Sequence, residues 1–199
     1  VHGTNVVTNT IIEGKGARTA LVATKGFSDV LEIARQIRPK LYDIFCEKPP
    51  PLVPRHLCYG VPERLDFAGR VLEELDETAV RDLVVQLERE QVESVVVCFL
   101  HAYVNPLHER RVGQILQQAL PEVYISLSSD LCPEMREYFR ASTTAVNAVV
   151  LPVVSRYLAE LDRRLAEIEV EVPLHLMTSA GGIVSSGVAR GAPIHLIES

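Results

Sequence analysis

Tryptophan is absent from these 199 residues, and the aromatics amount to six tyrosines and five phenylalanines. That leaves little for a base-stacking platform. Positive charge is also scarce: 20 lysines and arginines face 26 aspartates and glutamates, a net charge of −6. With a pI near 5.5 and no basic run, the chain lacks the electrostatic footprint of a nucleic-acid binder. Cys46, Cys58, Cys98 and Cys132 are scattered with no Cys-x-x-Cys between them. This excludes a zinc pattern and a dense disulfide framework, and points to reduced thiols in the cytoplasm. The opening residues show no basic region followed by an apolar stretch, so no secretory signal is read there. Val172–Ala189 carries no charge, but Pro173, Gly181, Gly182 and several serines make it a poor membrane span. Ala141–Ser155 is uncharged but too short to span. Glycine and proline are ordinary, no repeat recurs at a fixed period, and no Gly-x-x-x-x-Gly-Lys-Ser/Thr loop occurs. Gly14-Lys15-Gly16 does not match that loop.

What is present is core-forming material. Hydrophobic residues make up 47% and mean hydropathy is +0.14, which excludes a disordered chain. At this length one or two domains are expected, burying roughly 70% of the unfolded surface. Thr19–Thr24 reads as a short buried strand. Lys25-Gly26 turns it into a helix capped by Ser28, with Leu31, Ala34 and Ile37 facing the core and Arg38-Pro39 ending it. Pro49-Pro50-Pro51 is extended, and Leu57, Tyr59 and Val61 alternate as a strand with one buried face. Asp66–Gly69 turns a hairpin toward Val71. Asp76 caps a helix striped by Val80, Leu83, Val84 and Leu87, with Leu75 and Val80 as its staple.

Val95-Val96-Val97 reads as a fully buried strand. Asn105 caps the next helix with Pro106 at its first position, and Val112, Ile115, Leu116 and Ala119 face inward. Val123–Leu127 is a further strand, so the order is βαβ with at least one parallel pair. Thr143–Ile168 carries the longest helical period, interrupted by Pro152, which predicts a kink or a break. Pro173–Met177 reads as a strand, Thr178–Gly182 as a tight loop, and Pro193–Ile197 as the start of another strand.

The chain opens on Val1 and ends on an apolar run. Neither end has the polar character of a natural terminus, so a piece of a longer protein is expected. The opening His2-Gly3-Thr4-Asn5-Val6-Val7-Thr8-Asn9-Thr10, followed by Gly14-Lys15-Gly16-Ala17-Arg18-Thr19, resembles the hydantoinase A/5-oxoprolinase family, with acetone carboxylase subunits similar. The resemblance continues through Lys25–Ile33, Val61-Pro62-Glu63-Arg64, Leu100–Pro106 with His108-Glu109-Arg110-Arg111, and Ser126–Ser129. It recurs in Arg136-Glu137-Tyr138, Ser142-Thr143-Thr144, Asn147-Ala148 and Met177–Gly182. It runs in order over nearly the whole chain. Asn5 stands where the family usually has Thr, and Thr178-Ser179-Ala180 where it usually has Gln-Ser-Asn.

The resemblance implies an α/β fold, namely a fragment of an actin-like (ribonuclease H-like) ATPase with an inserted α/β subdomain. Residues 1–147 would close the hydantoinase A N-terminal region, and 148–199 would begin the hydantoinase/oxoprolinase ATPase domain. It implies a cytoplasmic ATP- and Mg²⁺-dependent hydrolase that phosphorylates and opens a cyclic amide such as hydantoin or 5-oxoproline, with a B-type partner subunit. The family's two acidic, glycine-rich phosphate loops would lie outside this chain, so the piece alone is expected to be inactive. An ATP-dependent ketone carboxylase subunit, a non-catalytic interaction or regulatory module, and a thiol hydrolase using Cys98 or Cys132 are the competing readings.

The resemblance places nucleotide or substrate contacts at His2, Gly3, Thr4, Thr8, Asn9, Ser179, Gly181 and Gly182, and leaves the catalytic residues unassigned. The plainer readings are capping and turn formation by Thr and Asn, and an ordinary strand-to-helix turn at Ser179–Gly182. His101 and His108 do not match a metal-ligand spacing, so no metal site is expected. Glu109 suits the first turn of a helix. Cys98 and His101 point to opposite faces of a strand, so Cys98 reads as a buried structural cysteine. Glu137, Arg140, Ser142 and Asn147 read as a solvated face with Ser142 or Thr143 capping, and Arg35 and Arg38 as charges at a helix end.

Overall fold

A computed structural model describes residues 1–37, 42–170 and 172–197. Its centre is a four-stranded parallel sheet in the order β2-β1-β5-β6, built from β1 (Thr19–Thr24), β2 (Cys58–Val61), β5 (Ser94–Cys98) and β6 (Tyr124–Leu127). The β-branched runs of β1 and β5 are buried at every position, as parallel strands covered on both faces must be. Register is set by Leu21 opposite both Cys58 and Val96, and by Val96 opposite Ser126. Helices α3 (Glu77–Arg89) and α4 (Leu107–Ala119) pack on one another, and α6 (Glu137–Glu167) lies along β5 and β6. The hairpin β3 (Arg64–Leu65) and β4 (Val71–Glu73) is closed by Asp66, whose carboxylate accepts from the Ala68 and Arg70 amides. Asp76 caps α3 by accepting from the Ala79 amide at 3.0 Å.

A second, smaller core gathers Val7, Val149, Val150, Val154, Leu158, Leu176, Ala189 and Leu196. It is built from α1 (Val6–Ile12), the later half of α6, the antiparallel hairpin β7 (His175–Met177) and β8 (Ile183–Ser185), and α7 (Ser186–Gly191). Helix α6 therefore serves both cores: Ala141, Ala145 and Ala148 face the sheet, and Val149 onward the second cluster. Gly16 explains itself here. A Cβ at that position would sit 2.1 Å from Val149 Cγ1, because the chain crosses α6 closely enough for the Ala17 amide to donate to the Val149 carbonyl at 2.8 Å. Among the described residues α6 is the one helix long and apolar enough to cross a membrane by length and composition, yet 56% of that stretch is buried inside this fold as core.

Several local expectations are corrected. The helix after β1 is a single turn, α2 (Val30–Ile33), because Ala34 and Gln36 take positive φ; Ile37 is exposed, and Arg38-Pro39 lies outside the described residues. Asp29 rather than Ser28 occupies its cap position. In β2 the buried positions are Cys58 and Val61, and Tyr59 is half-buried. Pro106 is the cap residue of α4 rather than its first helical residue, although Asn105 Oδ1 still accepts from the Leu107 amide at 3.1 Å. Leu120, just past that helix, takes the inward place expected of Ala119, which is exposed. Helix α6 begins at Glu137, where the φ of +78 at Arg136 ends the preceding backbone, so Ser142 and Thr143 are interior and cap nothing. It also runs through Pro152 as one helix, so of the kink or break expected there the break does not occur. Pro193–Leu196 is a 3-10 turn, not a strand. A short α5 (Ser128–Leu131) follows β6.

Candidate functional site

The residues expected to contact a ligand come from the two ends of the chain, and the fold joins them. The His2 amide donates to the His175 carbonyl at 2.9 Å, and the Met177 amide donates to the His2 carbonyl at 3.1 Å. His2 thus forms a parallel bridge with Leu176 and lies beside β7, next to the Thr178–Gly182 turn. The His2 ring is held by Tyr157 of α6, with Nε2 2.7 Å from the hydroxyl oxygen. Thr4 is buried and its hydroxyl accepts from the Val6 amide at 3.3 Å, starting α1, while Gly3 stays exposed. Thr8 and Asn9 ride on α1, half-buried and exposed respectively. The Pro193–Leu196 turn borders α1 and also binds the hairpin turn: the Ser179 amide and hydroxyl both donate to the His195 carbonyl, at 3.0 and 3.3 Å.

Ser179–Gly182 belongs to a β-hairpin, which corrects the strand-to-helix reading. The turn is closed on itself. Thr178 donates its amide to the Gly182 carbonyl at 2.8 Å, Gly182 returns its amide to the Thr178 hydroxyl at 3.1 Å, and the Gly181 amide donates to the Thr178 carbonyl at 2.9 Å. Those amides are engaged internally, so what the turn presents is room rather than an open nest. Gly181 has φ +80, and no atom lies within 4 Å of where its Cβ would be. Around this surface the expected residues supply hydroxyl, amide and imidazole groups. None is a carboxylate, lysine or arginine, so they suit neutral contacts to a nucleotide or substrate and do not suit Mg²⁺. Among the described residues no group of three His, Cys, Asp or Glu side chains is arranged to hold a metal.

A second constellation escaped the sequence reading. In open α/β sheets ligands favour the crevice at the carboxyl ends of the strands where strand order reverses. Here that place lies between β1 and β5. It is filled by the chain's own polar side chains. The Thr24 hydroxyl donates to Glu63 and accepts from the Leu100 amide at 3.0 Å; the other Glu63 oxygen is 2.8 Å from His108 Nδ1. Glu109 accepts from the Phe99 amide and the Ser128 hydroxyl on one oxygen, at 2.8 and 2.7 Å, and from the Ser129 amide on the other at 2.8 Å. Arg140 donates to the Phe99 and Glu134 carbonyls and to Ser128. Asn147 donates to the Ser126 hydroxyl and accepts from the Ile194 amide, both at 3.2 Å, linking the two cores. Thr24, Glu63, His108, Glu109, Ser128, Arg140 and Asn147 are all buried, so Arg140 and Asn147 are not part of a solvated face. Burial pushes the Glu109 carboxyl above its ordinary range despite the donors around it. A helical period carries His108 and Glu109 onto the face of Val112, Ile115 and Leu116, and Arg140 onto that of Thr144 and Asn147; that signal could have found them.

At Cys98 and Cys132, the two thiols weighed as nucleophiles, the surroundings work against a thiolate. Burial pushes Cys98 up to about 12 and raises Cys132, and the Cys98 sulfur meets the Glu137 carbonyl and Arg140 rather than His101.

Residues 1–120 match the model of the hydantoinase/oxoprolinase N-terminal region, and residues 140–199 match that of hydantoinase/oxoprolinase. The chain is 33% identical to caprolactamase subunit alpha of Pseudomonas jessenii, over all of this chain and 29% of that protein. The crystal structure of the ATP-dependent caprolactamase from the same organism superposes with a TM-score of 0.91 over 99% of this chain and 29% of that one. Identity to 5-oxoprolinase of Saccharomyces cerevisiae is 30%, over 95% of this chain and 16% of that protein. The nucleotide-free structure of acetone carboxylase superposes with a TM-score of 0.83 at 27% identity, over 98% of this chain and 29% of that one. The α/β portion of an actin-like ATPase expected from the sequence is therefore the fold observed. The chain spans less than a third of the length of these relatives.

Proposed function

Because the chain belongs to the hydantoinase/oxoprolinase family, we propose that it is the central stretch of an ATP-dependent enzyme that phosphorylates and opens a cyclic amide. The observation that carries this is the convergence of the His2-Gly3-Thr4 segment with the Thr178–Gly182 turn across β7. A ring amide resists water because resonance lowers its electrophilicity, and ATP, when bound, supplies the phosphoryl group that removes this protection. The chain's own part is to present hydroxyl, amide and imidazole contacts at an open glycine turn. Charge neutralisation, Mg²⁺ and the phosphate loops fall to parts outside this chain, and a B-type subunit assists ring opening. The division near Asn147 and a cytoplasmic site of action belong to the same reading.

The test is phosphate release by the full-length protein, with and without a co-expressed B-type subunit, across hydantoin, 5-oxoproline and larger lactams. Stimulation by a ring amide, with the opened product formed, is expected. Stimulation instead by a ketone with bicarbonate would favour the carboxylase reading, which the superposition on acetone carboxylase supports. The 199-residue piece by itself is expected to release no phosphate above a control.

A further inference from the structure

We propose that Tyr157 is a positioning residue: its hydroxyl holds the His2 imidazole in the tautomer protonated at Nδ1, so that His2 meets a ligand oxygen with a neutral N–H. This rests on the reading of the His2 segment as ligand-facing. The His2 backbone is fixed on both sides by β7, through the His175 carbonyl and the Met177 amide, which leaves the ring torsions as its remaining freedom. Tyr157 removes that freedom. It stands on the half of α6 packed into the second core, where Val154 and Leu158 anchor the helix. The two rings lie 6.1 Å apart at 31°, so the contact between them is the hydrogen bond rather than a stack.

The chemistry of the two groups assigns the donor. A phenol oxygen is a weak acceptor and its O–H a good donor, whereas the unprotonated nitrogen of an imidazole is a good acceptor, so the arrangement is O–H donating to Nε2 across 2.7 Å. If O–H donates to Nε2, the single proton of the neutral imidazole resides on Nδ1. Nδ1 makes no hydrogen bond among the described residues, so this N–H remains for a ligand. The chemistry it suits is an anionic or carbonyl oxygen, which both a phosphate and an amide provide. In water the unheld ring would divide between tautomers, and only one offers this donor.

A purely structural staple, tying the segment to α6, predicts different behaviour. The test uses the full-length protein with ATP and the ring amide it opens. Tyr157→Phe keeps the ring and its packing but deletes the hydroxyl. We expect kcat/KM to fall about five- to tenfold, the effect of losing one net hydrogen bond. In a His2→Ala background the same change should cost less than about twofold, because Tyr157 acts through His2. In protein labelled with ¹⁵N in the histidine rings, Tyr157→Phe should move the His2 Nδ1 and Nε2 resonances toward a mixture of tautomers, His2→Ala identifying the signals. Ring resonances unmoved by Tyr157→Phe overturn the hold of Tyr157, whatever the activity. A full loss from Tyr157→Phe persisting without His2 also overturns it, in favour of the staple. Resonances that move while neither substitution alters activity overturn the ligand-facing role, and with it the placement of the site at His2 rather than the role of Tyr157.

Discussion

His108→Leu tests whether the polar plug at the carboxyl ends of the strands is held together by the contact of His108 with Glu63 or merely tolerated. The substitution removes the Nδ1 partner 2.8 Å from Glu63 and leaves that carboxylate, whose side chain is wholly inaccessible, with the Thr24 hydroxyl alone. Breaking a buried pair from one side costs about 3 to 5 kcal/mol. His108 Nε2 is itself buried without a partner, and losing it returns about 1 kcal/mol. The net expectation is a loss of about 2 to 4 kcal/mol, or roughly 4 to 16 °C in melting temperature for a domain of this size. Replacing both residues with leucine removes the stranded carboxyl group. Thr24 then loses an acceptor for its hydroxyl but keeps the Leu100 amide, so the double variant should lose only about 1 to 2 kcal/mol. Thermal and urea unfolding of the four proteins close the double-mutant cycle. A His108→Leu variant within about 1 kcal/mol of the parent, or a double variant as weak as the sum of the two singles, refutes the reasoning.

Gly16→Ala should destabilise by about 1 to 3 kcal/mol in a urea melt, since the new methyl meets Val149 at 2.1 Å where the backbone is hydrogen-bonded to α6. The raised carboxyl of Glu109 means the folded state holds that proton more tightly than the unfolded chain. The stability it contributes is therefore present at low pH and lost as pH rises through the folded value. The stability difference between parent and Glu109→Gln should decline over that interval; a difference that rises or stays flat contradicts the direction. Cys98, buried and pushed up to about 12, should resist iodoacetamide in the folded chain at neutral pH while the half-buried Cys46 reacts, as peptide mapping would show.

The parts of the fold legible beforehand were those where burial and apolar character coincide. The runs in β1 and β5, the stripe from Val80 to Leu87 and the cap at Asp76 are each decided within a few residues. The polar core was misread because a search for apolar periodicity passes over a glutamate or arginine on the inner face. Glu109 looked like a helix-start charge, but its oxygens serve the amides of Phe99 and Ser129. Arg140 looked solvated, yet its guanidinium reaches two carbonyls. The proposed ligand surface was legible only as two separate motifs. Nothing in His2-Gly3-Thr4 specifies that its strand partner is Leu176, because such distant pairing depends on how α1 and α6 assemble between them.

The sharing of α6 has a consequence for the order in which the chain acquires structure. Helix α1 is made before the sheet but has its packing partners in α6 and the Pro193–Leu196 turn. The parallel sheet, with its closer contacts in sequence, lies between them and can condense on leaving the ribosome. Through that interval α1 carries the bare side chain of Val7. The newborn segment bearing the proposed ligand motif therefore waits for its core until α6 has emerged, and meanwhile offers apolar surface to a chaperone or an unwanted neighbour.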